Sequence, residues 1–132
     1  MRITDRISNI IFLTGFSLLL THELDAMIRS EWRLLPFIKN MPDETGMNIF
    51  ILGHIPIFAA GIALISSLNN RTRNISRIGF AIFFIFHGIL HFLFKAVNFP
   101  EYDFNSVLSR LIIYSCSFFG IAYLFISKIR RV

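Results

Sequence analysis

The chain contains a single cysteine, Cys116, so no disulfide can close within it. Its plain reading is a small packing residue in an apolar helix. Charge is scarce too. Asp, Glu, Lys and Arg make up 16% of the 132 residues, where a soluble domain carries roughly 25%. Proline is limited to Pro36, Pro42, Pro56 and Pro100, and of these only Pro56 interrupts a long apolar run. No internal repeat or low-complexity tract is visible, and no serine–histidine–acid set stands out. These absences exclude a disulfide framework and argue against a well-solvated soluble domain.

Apolar residues dominate instead, at 55%, and 16 of them are phenylalanine. So small a soluble core cannot bury them all. A bilayer removes the problem, because there the outer surface is apolar as well. The chain therefore reads as an integral membrane protein, one domain over residues 1–132, with little mass outside the lipid. The net charge is +5. Its basic residues cluster at the ends of the apolar runs, which points to membrane topology and gives no reading element for nucleic acid.

A spanning helix needs about 20 mostly apolar residues. Four windows qualify: Ile7–Ile28, Met47–Leu68, Ile78–Val97 and Val107–Ser127. The first has a basic start, but no small-residue cleavage site follows it, so it is expected to be a retained helix and not a signal peptide. Arg2, Arg6, Arg71, Arg73, Arg77, Lys128, Arg130 and Arg131 fall on one side of these spans. Most of the acids fall on the other. The positive-inside rule then puts both termini in the cytoplasm, in the inner (plasma) membrane. Trp32, Tyr102 and Phe104 are expected in the outer interfacial belt. The short loops favour an all-α, up-down-up-down four-helix bundle.

The four histidines, His22, His54, His87 and His91, all fall inside spans, where ionisable groups are costly and usually functional. At about 1.5 Å of rise per residue, His22, His54 and His91 come to lie about 9–10 Å below the outer end of their spans, and His87 about 15 Å. Three helices thus bring imidazoles to nearly one level. His87 and His91 are i,i+4, the spacing that lets two rings grip one ion. Asp25 shares a face with His22, while Glu23 points about 100° away, either toward a neighbouring helix or toward groups behind the metal ligands. Pro56 leaves the carbonyl of Leu52 without its usual donor. Arg110 and Tyr114, also i,i+4, reach a similar depth from the fourth span and are candidates to support a bound cofactor from behind its ligands. Lys95 is expected to snorkel. Gly53, Gly61, Gly88 and Gly120 read as close-packing positions.

The expected site is a transition metal held by His22, Asp25, His54, His87 and His91. Zinc is the favoured ion, with iron or copper as alternatives. The bland alternative is that each histidine is an interhelical hydrogen-bond partner, the commoner role of a single intramembrane imidazole.

HELDAMIRSEWRLLP, GHIPIFA and HGILHFLF, in that order, resemble a family of small four-span prokaryotic membrane proteins of unknown function. Its motif is H-x-x-D-A, followed shortly by E-W, with histidines on spans two and three. The resemblance implies four spans and marks His22, Asp25, Ala26, Glu31, Trp32, His54, Pro56, His87 and His91. Glu31 and Trp32 lie just beyond span one, either at the pocket mouth or as interfacial anchors.

Three functions stay open. One is a metal-dependent enzyme working on a lipid or other apolar small molecule from the outer leaflet, with Glu23, Asp25 or Glu31 as general base. The second is a haem-binding or quinone-linked redox subunit, with histidines as axial ligands. The third is a non-catalytic metal-handling or complex-assembly protein, as an oligomer or in a larger complex. The inner halves of the spans lack charges, which argues against a channel or pump.

Overall fold

Lipid offers a backbone no hydrogen-bond partners, so apolar runs of this length satisfy their peptide groups internally, as helices. The computed structural model describes the backbone of residues 3–97 and 106–129, and side chains as far as Phe94 and from Ser106 to Lys128. Within it the helices are α1 (Ile3–Ile28), α2 (Asp43–Ile65), α3 (Asn70–Val97) and α4 (Val107–Ile129), and a short 3-10 turn spans Glu31–Leu34. There is no strand among the described residues. Among the described residues, four helices are long and apolar enough to cross a membrane.

Boundaries differ from the sequence expectation where polar residues continue a helix beyond its apolar stretch. The segment read as a basic loop, NNRTRNISR, is helical from Asn70 onward. Asn69 caps it: its side-chain oxygen accepts from the backbone N–H of Arg71 at 2.9 Å and of Thr72 at 3.2 Å. α2 starts at Asp43, after Pro42, with Asp43 and Glu44 in its first turn, where the helix dipole favours acids. Pro56 lies inside α2 and the helix continues across it.

The packing core is Phe12, Phe16 and Leu19 of α1, Ile65 of α2, Ala81 and Phe84 of α3, and Cys116 and Tyr123 of α4. Cys116 is buried and its thiol donates to the Gly15 carbonyl at 3.3 Å. The pairs Phe12–Tyr123, Gly15–Cys116 and Asp25–Ser109 follow α1 forward and α4 backward. The Ser117 hydroxyl donates to the Phe84 carbonyl, 2.9 Å away on α3. Gly88 and Gly120 allow this approach: a Cβ at Gly88 would collide with Ser117, and one at Gly120 would lie 2.7 Å from the Ala81 carbonyl. Gly61 faces Phe80 in the same way, but a Cβ on Gly53 would meet nothing within 4 Å. Gly53 is therefore not a packing glycine; it lies on the outward side of α2. That helix is the least buried, with only Gly46, Gly61 and Ile65 covered.

The PEYDF loop with Tyr102 and Phe104, and the side chains of Arg2, Lys95, Arg130 and Arg131, lie outside the described residues.

Candidate metal centre

The site is assembled where α1 ends. Ser30 takes a left-handed backbone, φ 58° and ψ 34°. Such a conformation is uncommon for a residue with a Cβ and is frequent at functional turns. It reverses the chain, and the 3-10 turn brings Glu31 back beneath the helix it has just left. Trp32 secures the turn. It is buried, and its ring covers Gly46 at the start of α2. The Arg33 guanidinium sits over the same ring at 4.6 Å and also pairs with Asp43.

Glu31 meets three imidazoles. His22 Nε2 is 3.5 Å from one carboxylate oxygen and His91 Nε2 is 3.7 Å from the other. The His22 ring centroid is 4.9 Å from that of His87 and 4.6 Å from that of His91. His87 and His91 are 4.9 Å apart. One ligand atom from each of His22, Glu31, His87 and His91 lies within 4.8 Å of the other three. Ligands on a tetrahedral ion with bonds of roughly 2.0–2.1 Å are about 3.3 Å apart, and the two carboxylate approaches, each to a different oxygen, come near that edge. His22 is fully buried; its Nδ1 has no hydrogen-bond partner among the described residues, and its Nε2 is met by Glu31 at 3.5 Å. His87 Nε2 is buried without a hydrogen-bond partner as well. Buried polar atoms are normally satisfied, so imidazole nitrogens left open in one place call for an explanation.

His54 and Asp25, expected in this site, stand apart from it. His54 Nδ1 lies 2.6 Å from the Phe50 carbonyl, and its Nε2 lies 3.0 Å from Glu23. Glu23 thus points to the neighbouring helix, one of the two directions its position on α1 left open, and takes His54 with it. Their separation from the cluster has a simple origin: α1 turns about 100° per residue, so His22 and Glu23 face different neighbours. Asp25 is drawn toward α4. Ser109 donates to one of its oxygens, and Arg29 approaches the other at 3.6 Å while also donating to Ser106 at 3.0 Å. This carboxylate ties the end of α1 to the start of α4. Arg110 and Tyr114 line a shallow recess on the outer side of α4 with Val107, Leu111 and Phe118. They do not surround the histidines.

Beside the cluster, a partly open cavity of about 490 Å³ runs between α1, α2 and α3. Its walls include Phe16, Leu20, Phe58, Phe80 and Phe83, and Glu23 and His54 supply its acid and imidazole groups. Phe83 also contacts the His87 ring, at 5.2 Å between centroids.

Three imidazoles and a carboxylate suit zinc, and also iron or copper. With three imidazoles as ligands, Glu31 either closes the coordination or stands beside an open position as a base. The family described as "Family of unknown function (DUF6713)" matches residues 8–130 of the chain. Neither a curated protein nor a solved structure matches it.

Proposed function

The chain belongs to this family of unknown function, and on that premise we propose that it is a multi-pass membrane protein that binds a transition metal through His22, His87, His91 and Glu31. The observation that carries the reading is the gathering of three imidazoles, His22, His87 and His91, against Glu31, with His22 Nδ1 and His87 Nε2 buried and without a hydrogen-bond partner among the described residues. An ion there would compensate polar groups whose burial in apolar surroundings without a partner costs several kcal/mol each. Zinc is the favoured ion, with iron or copper as alternatives.

The same donor set supports a hydrolytic enzyme acting on an apolar substrate. A zinc ion held by three imidazoles polarises a carbonyl and lowers the pKa of bound water. Glu31 touches the cluster, so it is the residue placed to hold a proton there. Glu23 faces the adjoining cavity and takes the orienting role. Haem fits less well: His54, the ring that could face His87 or His91 across a macrocycle, is engaged by Glu23 and the Phe50 carbonyl, and the centroids of His22, His87 and His91 lie only 4.6–4.9 Å apart. The protein is read as a single up-down-up-down domain in the inner membrane, both termini cytoplasmic, with the metal centre toward the extracytoplasmic side.

Elemental analysis of protein purified without added metal tests the reading. About one ion per chain is expected, lost in a His87→Ala/His91→Ala double variant and retained in His54→Ala. Metal-free protein, with the double variant as stable as wild type, would leave an interaction module as the better account.

A further inference from the structure

We propose that the polar recess where α1 begins, α2 ends and α3 begins binds the phosphodiester of an anionic phospholipid. The recess encloses about 600 Å³, within the roughly 300–1,000 Å³ typical of small-molecule sites. Only polar side chains line it, two of them arginine and three asparagine. α1 and α3 carry the histidine cluster nearer their other ends, so the two sites are separate.

The lining is arranged to donate. A guanidinium has no acceptor, so an amide that meets one does so through its oxygen and keeps its –NH2 for other partners. Arg77 donates to Asn9 Oδ1 at 2.5 Å, and Arg73 donates to Asn70 Oδ1. Both amides therefore keep an –NH2 to donate in the recess that they line. The arginines are fixed from behind. Arg77 Nε donates to the Ile65 carbonyl at 3.2 Å, and its guanidinium lies 5.2 Å over the Phe12 ring. Arg73 donates to the Ser67 carbonyl at 2.9 Å. Closing the end of α2 is thus one task of these side chains. Among the described residues it occupies, with the Asn70 bond, two of the five N–H donors of Arg73.

Charge selects the occupant. Arg73, Arg77 and one acid, Asp5, line the recess, which leaves one net positive charge. Arg6 and Arg71 are exposed on the adjoining turns. One phosphodiester neutralises the recess, whereas a zwitterionic head brings its own cation. The same turns carry side chains suited to acyl chains, with Leu68 97%, Ile3 77% and Ile75 59% exposed, so the anion is a lipid head group. Basic recesses between membrane helices are known seats of such heads.

Native mass spectrometry in a neutral detergent tests the site, with dioleoyl phosphatidylglycerol titrated beside dioleoyl phosphatidylcholine. The first phosphatidylglycerol is expected to bind about fivefold more tightly. Asn74 lines the recess from an exposed position, and Asn74→Asp cancels the net charge; the preference should vanish. Asn40→Asp makes the same change of charge at an exposed position between α1 and α2 and should keep the preference. Arg73→Gln should behave as Asn74→Asp; if it melts below wild type, Asn74→Asp alone is read. Equal binding of the two lipids by wild type would overturn the anionic head. A preference unchanged in Asn74→Asp, or lost equally in Asn40→Asp, would overturn the recess as its seat. Phosphatidylglycerol that stays bound in millimolar inorganic phosphate supports a lipid occupant, and its displacement would overturn one.

Discussion

At the residue scale, Glu31 distinguishes a metal centre from a packed histidine cluster. Glu31→Gln keeps the shape and one carbonyl acceptor but removes the charge. It is expected to weaken metal binding by at least about tenfold, measured by competition with a chromophoric chelator, since even changes to residues that only support the ligands cost roughly 10–100-fold. Ligand protonation sets the sign of the pH response. Imidazole binds metal only when neutral, so retention should fall as pH is lowered and hold as it is raised. Metal content after dialysis across a pH series reads this directly. Ser30 offers a further check. Ser30→Val forces a β-branched side chain into a left-handed turn and should cost about 1–3 kcal/mol in thermal stability. Ser30→Gly suits that backbone and should not destabilise the protein. If Ser30→Val binds metal like wild type, Glu31 is not held by this turn.

At the element scale, α1 and α4 are joined by a polar clasp and α3 and α4 by small residues. Asp25 belongs to the clasp with Ser109, Arg29 and Ser106. Asp25→Asn is expected to lower stability by about 1–2 kcal/mol, in the range of interhelical hydrogen bonds in membranes, and to leave the metal content unchanged. Loss of metal in that variant would return Asp25 to the ligand set. Gly120→Leu sets a side chain against the Ala81 carbonyl and Phe84. Overpacking of this kind costs about 1–3 kcal/mol or more. Gly53→Ala, with open space around it, should be stabilising by up to about 1 kcal/mol through helix propensity. A denaturation series in detergent orders the three variants.

For the whole molecule, the direction it faces in the membrane decides which compartment the proposed metal centre would serve. Cys116 is buried, so cysteines added at exposed sites can be labelled against a quiet background. Leu68, 97% exposed between α2 and α3, should react when replaced by cysteine with an impermeant maleimide only from the cytoplasmic side. Phe37, 90% exposed between α1 and α2, should do so only from outside. The reverse pattern would move the metal centre to the cytoplasmic face and leave its geometry intact.

Hydropathy, length and the i,i+4 spacing of His87 and His91 were sufficient on their own for four membrane-length helices and for the meeting of those two rings, because both follow from the rise and turn of a helix. The family resemblance carried by HELDAMIRSEW likewise needed no coordinates. Helix ends at Asn70 and Asp43 were harder to read, since capping and charge extend a helix past its apolar stretch. The membership of the cluster was decided only by tertiary structure. Depth along a helix is a one-dimensional quantity, and it placed His54 level with the other rings. Rotation about each axis, the direction taken by Glu23 and the left-handed turn at Ser30 are set by how the helices pack. Those features gave Asp25 to α4 and His54 to Glu23, and brought Glu31 to His22 and His91.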